Sequence, residues 1–62
     1  MISNEELANE VLKFRVSHDM TQDDFAIRCG ISRSTVVSVE KSSPKTSKKM
    51  KTKILLFMEN YC

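Results

Sequence analysis

Apolar residues recur at helical spacing along most of the chain, and short polar segments separate these stretches. In the first stretch, Leu7, Val11 and Phe14 follow one another at intervals of four and three residues, which is typical of one face of an α-helix. Ser3 followed by Glu6 has the spacing of a capping box at a helix start. The pattern predicts a first helix over residues 4–17.

The second predicted helix covers residues 22–29 and begins in the same way. Thr21 can cap its first turn, and Asp24 lies at the position that reaches back to the Thr21 amide. Gly30, the single glycine of the chain, follows the predicted end of this helix. Glycine adopts a positive φ there without steric cost, so the sequence predicts a sharp turn at Gly30.

A third helix is predicted to begin after Ser32, which is placed to cap it. Val36 and Val39 would lie on its buried side. Because β-branched residues are dense in the segment 34–39, a β-strand is the alternative. The apolar positions of this segment do not alternate cleanly, and the capping residue Ser32 follows the helix-ending Gly30. We therefore favour a helix.

Residues 41–46 have the composition of a loop, and Ser47 can cap a fourth helix. The apolar stripe of that helix comprises Met50, Ile54, Phe57, Met58 and Tyr61. Lysines crowd its start, although positive charge there opposes the helix dipole, which hints that they serve a ligand. The sequence therefore predicts a compact all-α domain of four helices, with five as the alternative.

Length and composition limit the architecture further. A chain of 62 residues accommodates a single domain, residues 1–62, and a small core. It has no run of eighteen apolar residues and no hydrophobic leader at its acidic N-terminus, so we expect a protein of the cytoplasm. We expect Cys29 to be a reduced, buried residue and Cys62 a free, exposed thiol.

The net charge of +2 conceals an uneven distribution. Residues 1–32 carry three basic and six acidic residues, whereas residues 33–62 carry seven basic and two acidic ones. The second half is therefore expected to face a polyanion. Lysine-rich faces also occur merely for solubility, so this observation is weak on its own.

The segment 21–41, TQDDFAIRCGISRSTVVSVEK, resembles the helix-turn-helix of the lambda-repressor-like DNA-binding domains, the phage Cro, repressor and XRE-type class. Gln22 opens the first helix of the motif, Ala26 is the small residue at the helix contact, and Gly30 is the turn. The apolar positions of the motif are occupied by Ile31, Val36 and Val39. The resemblance extends over about residues 10–50.

The resemblance also implies an ion pair between Arg15, late in the first helix, and Glu40, at the end of the third. An exposed and unpaired Glu40 is the alternative. The sequence departs from the family at its C-terminus, where a fifth helix commonly contributes to the dimer. We expect Tyr61 and Cys62 to extend the fourth helix into a substitute contact.

In such domains the third helix lies in the major groove, where side chains read base edges. The candidates for base contact are Ser32, Arg33, Ser34, Val37 and Ser38. Arg33 is the strongest, because its guanidinium can bond guanine O6 and N7 together. Val37 could contact a thymine methyl or belong to the core, and Ser34 could simply be solvated.

A second set of residues is expected to contact phosphates. Its members are Thr21, Gln22, Lys41, Ser43, Lys45, Lys48 and Lys49. The resemblance places the first two at the start of helix two, although Thr21 could act only as a cap. The lysines would bind as point charges, while Lys51 and Lys53 are interpreted as solubility residues.

The sequence thus predicts a sequence-specific DNA-binding transcriptional regulator, a Cro-like repressor of a phage or mobile element in a bacterial host cell. It would bind a two-fold DNA operator as a homodimer that is weak or absent in free solution. The alternative is a protein-binding regulator of the same fold, of the anti-repressor or antitoxin type. Enzymatic activity is not expected, because the single histidine, His18, has no nucleophile or ligand set around it. No cofactor or metal is expected. RNA binding is not favoured either, because the chain lacks the exposed aromatic residues that base stacking needs.

Overall fold

The computed structural model describes residues 2–61, which form four α-helices and no strand. The helices are α1 (Asn4–Ser17), α2 (Gln22–Cys29), α3 (Arg33–Glu40) and α4 (Lys48–Glu59). Helix α3 packs against both α1 and α2, and α4 packs against α2. The predicted all-α class is confirmed, and a strand over residues 34–39 is excluded. None of these helices is both long and apolar enough to cross a membrane.

A hydroxyl side chain begins every helix. The hydroxyls accept a hydrogen bond from the backbone N–H three residues further on, and the residues concerned are Ser3, Thr21, Ser32 and Ser47. In α1 and α2 a carboxylate, that of Glu6 or Asp24, accepts a bond in return from the capping residue's own N–H. Each cap of this kind contributes about 1 kcal/mol, so the helix starts are specified locally.

Gly30 forms the turn between α2 and α3. Its φ of 78° and ψ of 33° lie in the left-handed region, which costs other residues energy. The N–H groups of Gly30 and Ile31 both donate to the carbonyl of Ala26, at 2.9 and 3.0 Å. These bonds close the end of α2 and direct the chain into α3, as predicted for this glycine.

The core draws side chains from all four helices. Its members are Leu7, Ala8, Val11, Met20, Phe25, Ala26, Cys29, Val36, Val39 and Ile54. Burial raises the pKa of the Cys29 thiol, because a desolvated thiolate is disfavoured. Cys62, which we expected to be an exposed thiol, lies outside the described residues.

Aromatic rings join α1 to the C-terminal part of the chain. The Phe14 ring packs edge-on against Phe57 and Tyr61, with centroid distances of 5.8 and 5.2 Å. His18 is exposed at the end of α1 and stacks on Phe14 at 4.1 Å. Because α4 ends at Glu59, the expectation that Tyr61 continues this helix is wrong. Tyr61 instead packs back against α1.

Candidate nucleic-acid interface

Helix α3 has one face fixed in the core and one face open to solvent. Val36 and Val39 are almost fully buried, with 1% and 2% of their surfaces exposed. Their packing against α1 and α2 determines the rotation of α3 about its axis. The side chains on the opposite face therefore project from a rigid support, which is what a recognition surface requires.

The open face carries the residues that we predicted to contact bases. Arg33, Ser34 and Ser38 are exposed, and Val37 is half-buried. These four residues line one shallow depression on the surface of the helix. Val37 is thus accessible on this face and is not a buried core residue. The depression combines a cation, two hydroxyls and one apolar group.

Ser32 differs from the other residues of this set. Its hydroxyl accepts the N–H of Thr35 at 3.2 Å as the cap of α3. It also shares hydrogen bonds with the hydroxyls of Thr35, at 2.8 Å, and Ser34, at 3.1 Å. The local role of Ser32 as a helix cap occupies the oxygen that a base contact would need.

The guanidinium of Arg33 lies beside a carboxylate that the sequence reasoning did not associate with it. Arg33 Nε is 3.8 Å from Asp23 Oδ1, and the two side chains are 65% and 68% exposed. The distance is that of an ion pair without a direct hydrogen bond. The two residues are ten positions apart and lie on different helices, so only the packing of α2 against α3 reveals the contact.

A second arginine is held much more tightly at the other end of α3. Arg15 donates to both oxygens of Glu40, from Nε at 2.5 Å and from Nη2 at 3.1 Å, and to the Met20 carbonyl from Nη1 at 3.0 Å. Gln22 Nε2 donates to Glu40 Oε1 at 3.0 Å. Glu40 therefore joins α1, α2 and α3, and the side-chain amide of Gln22 is engaged inside the protein.

The start of α2 is occupied by its own capping box. The Thr21 hydroxyl accepts the N–H of Asp24 at 3.0 Å, and the Thr21 N–H donates to Asp24 Oδ2 at 3.1 Å. The hydrogen bonds from Thr21 lower the pKa of the Asp24 carboxyl, since they favour its charged form. The hydroxyl and the backbone N–H of Thr21 thus both have partners within the chain.

The α3–α4 loop brings several candidate phosphate contacts close to the open face of α3. Lys45 and Ser43 line a cavity of about 240 Å³ together with Ser38 of α3. Ser43 already has partners within the chain, because its hydroxyl accepts the Lys45 N–H at 3.2 Å and its carbonyl accepts Asn4 Nδ2 at 2.9 Å. The neighbouring lysines are exposed at the end of α3 and in the first turn of α4: Lys41, Lys48 and Lys49.

Two further lysines of α4 have structural contacts that the sequence did not indicate. Lys53 Nζ donates to the carbonyl of Gly30 at 3.3 Å, and Lys51 Nζ donates to the carbonyl of Ile2 at 3.3 Å. A positive charge at the C-terminal end of α2 interacts favourably with the dipole of that helix. Lys51 and Lys53 therefore do more than solubilise the surface.

The region offers no group of metal ligands. Nowhere in residues 2–61 do three or more histidine, cysteine, aspartate or glutamate side chains converge in a way that could hold an ion. The chemistry available on the open face of α3 is hydrogen bonding, charge and apolar contact.

Two helices joined by a left-handed glycine, the second with one buried and one polar face, define a small helix-turn-helix domain. Comparison with known proteins agrees with this class. Over 51 residues, the chain is 35% identical to an uncharacterised HTH-type transcriptional regulator of Methanocaldococcus jannaschii, and the alignment covers 82% of this chain and 77% of that protein. The chain belongs to the family of HTH-type transcriptional regulators. No protein-family model and no solved structure matches it.

Proposed function

We propose that this protein is a sequence-specific DNA-binding transcriptional regulator of the lambda-repressor-like, XRE-type class. In this proposal residues 1–62 act as one domain, and residues 21–41 are its helix-turn-helix. The observation that carries the proposal is the open face of α3, where Arg33, Ser34 and Ser38 are exposed on a helix whose other face is buried. Membership of a family of transcriptional regulators supports the same function.

The open face of α3 would enter the major groove and contact base edges. Arg33 would bond guanine, Ser34 and Ser38 would donate or accept as the base requires, and Val37 would contact a thymine methyl. Ser32 would contribute less, because its hydroxyl already caps α3. This division makes Arg33 the residue with the largest expected effect on base preference.

Phosphate contacts would flank this face on both sides. Lys41 and Lys45 would lie against one strand, with Lys48 and Lys49 nearby. At the start of α2 the Asp24 N–H is engaged by the Thr21 hydroxyl, so the groups available to a phosphate are the backbone N–H groups of Gln22 and Asp23. The side chains of Thr21 and Gln22 would then contribute mainly by fixing that helix end, since both are engaged within the chain.

A regulator with one recognition helix per chain gains affinity by binding a two-fold operator as a homodimer. Half-sites would lie about one helical turn apart, because each recognition helix must meet the same side of the duplex. The pairing would be weak in free solution and completed on DNA. We further propose a Cro-like repressor of phage or mobile-element type that acts in the cytoplasm of its host cell without enzymatic activity.

The experiment that tests the proposal is selection of bound duplexes from random DNA at two salt concentrations. We expect one sequence motif to be enriched at both concentrations, while the total amount of bound DNA falls at the higher salt. A motif that repeats with two-fold symmetry would support the dimer. Recovery of random sequences at both salt concentrations would overturn sequence-specific binding.

A second function is favoured by apolar side chains on the surface. Val16 and Ile27 are 71% and 78% exposed, and neither lies on α3. These residues could contact another protein, as in a regulator of the anti-repressor or antitoxin type. A complex with a partner protein that survives high salt, together with no preference among DNA sequences, would favour this function over DNA recognition.

A further inference from the structure

Asp23 of α2 lies close to Arg33, the first residue of α3. The shortest distance between the two charged groups, 3.8 Å, joins Nε of the guanidinium to Oδ1 of the carboxylate. Nε carries a single N–H, whereas the terminal nitrogens Nη1 and Nη2 carry the other four. Within residues 2–61, Arg33 makes no hydrogen bond that would engage these terminal groups.

Recognition of guanine by arginine requires two parallel N–H groups aimed at O6 and N7. Because neither Nη1 nor Nη2 is hydrogen-bonded within residues 2–61, both terminal nitrogens of Arg33 are free for this purpose. A long, exposed side chain otherwise samples many rotamers, and fixing it on binding costs conformational entropy. A negative charge on the neighbouring helix favours conformations of Arg33 near α2 over the others.

We propose that Asp23 is a positioning residue for Arg33, one that directs the guanidinium toward a guanine and away from phosphates. This inference rests on the proposed DNA-binding function. Because Asp23 repels phosphate, it also disfavours complexes in which Arg33 pairs with the DNA backbone instead of a base. Asp23 therefore increases the difference between specific and non-specific binding.

A simpler role for Asp23 is to complement the dipole of α2, in whose first turn it lies. That role would change the stability of the fold. It would not change the choice between two duplexes that differ at one base pair. The preference for one base pair is therefore the quantity that separates the two roles.

The test compares two duplexes, the selected operator and the same operator with a substitution at the base pair where Arg33→Ala removes the preference. Both duplexes carry the same number of phosphates, so a general effect of charge cancels in the ratio of their dissociation constants. An arginine–guanine contact corresponds to a ratio of about 5 to 150 for the wild type. We expect Asp23→Asn to lower this ratio by about two- to fivefold, the range that corresponds to an exposed ion pair.

Asp23→Ser serves as a second uncharged variant, and the melting temperature of each variant reports whether it is folded. Glu10→Gln is the matched control, because it removes the same charge at a separate depression between α1 and α4. We expect the control to leave the ratio unchanged. In an Arg33→Ala background, Asp23→Asn should have no further effect on it.

An unchanged ratio in both Asp23 variants, in a protein whose preference Arg33→Ala does relax, would overturn the positioning role and leave the proposed function intact. A change of the ratio in either direction when Asp23→Asn is added to Arg33→Ala would also overturn it, since Asp23 would then act through another group. A wild-type protein without preference for any duplex would contradict the proposed function itself, and the positioning role with it.

Discussion

Two arginine–carboxylate pairs lie at opposite ends of α3: Arg33 with Asp23 at its start, and Arg15 with Glu40 at its end. The surroundings of the two pairs differ. The side chains of Arg15 and Glu40 are 15% and 12% exposed and share two hydrogen bonds. Those of Arg33 and Asp23 are 65% and 68% exposed and share none. The pair of Arg15 and Glu40, the inner pair, joins α1 to the end of α3. The pair of Arg33 and Asp23, the outer pair, lies where solvent or a ligand can reach it.

This difference separates a structural ion pair from one that can exchange its partner. An exposed pair contributes about 0–1 kcal/mol to folding, because water screens it and two flexible side chains must be ordered. Loss of one partner from a buried pair is far more costly, since a desolvated charge is left without compensation. Burial thus assigns Arg15 to the fold and leaves Arg33 available for binding.

Breaking the inner pair should have the largest effect on stability. We expect Arg15→Met or Glu40→Leu alone to lower the free energy of unfolding by about 3 kcal/mol. The double variant should cost less than either single variant, because no charge is then stranded. Urea denaturation of the three variants measures this, and additive effects in the cycle would contradict the coupling.

The turn that presents α3 should be the next most sensitive point. We expect Gly30→Val to cost about 2 kcal/mol, because a β-branched residue resists a φ of 78°. Among the described residues, a Cβ at this position would meet only Lys53 Nζ, at 3.9 Å, so the cost is conformational. Gly30→Asn is the matched control, since asparagine tolerates the left-handed region. Equal melting temperatures for the two variants would argue against strain at this turn.

The positions of the helices could be predicted because their signals are local. A hydroxyl at each helix start, a glycine at the end of α2 and apolar residues at helical spacing are all visible within a few residues of sequence. The helices α1 and α2 accordingly lie where the pattern predicted them. The end of α4 was harder to predict, because the apolar stripe continues through Tyr61 beyond the last helical residue.

Contacts between helices could not be derived in this way. The proximity of Asp23 to Arg33, and of Gln22 to Glu40, depends on how α2 crosses α3. The contact of Lys53 with the Gly30 carbonyl depends on where α4 passes the turn. Local patterns identified the candidate residues of the open face, and the packing of the helices determined which of them have partners within the chain.

Two lysines of α4 allow a similar comparison of their contributions to stability, with a smaller expected effect. We expect Lys53→Met to lower the free energy of unfolding by about 0.5 kcal/mol, because it removes a cation from the C-terminal end of α2. Lys48→Met is the control, since Lys48 lies in the first turn of α4, where a cation opposes the dipole. That change should be neutral or slightly stabilising. Equal losses in both variants would contradict the proposed role of Lys53.

Base readout by the open face of α3 is the property on which the proposed function depends most. The most direct measurement is the affinity of the wild type, Arg33→Ala and Lys45→Ala for the selected operator and a scrambled duplex over a range of salt. Arg33→Ala should lose about 1–3 kcal/mol at one base pair per half-site, while Lys45→Ala should weaken both duplexes alike and reduce the salt slope by about one unit. Identical behaviour of the two variants on both duplexes would contradict the assignment of Arg33 to base readout.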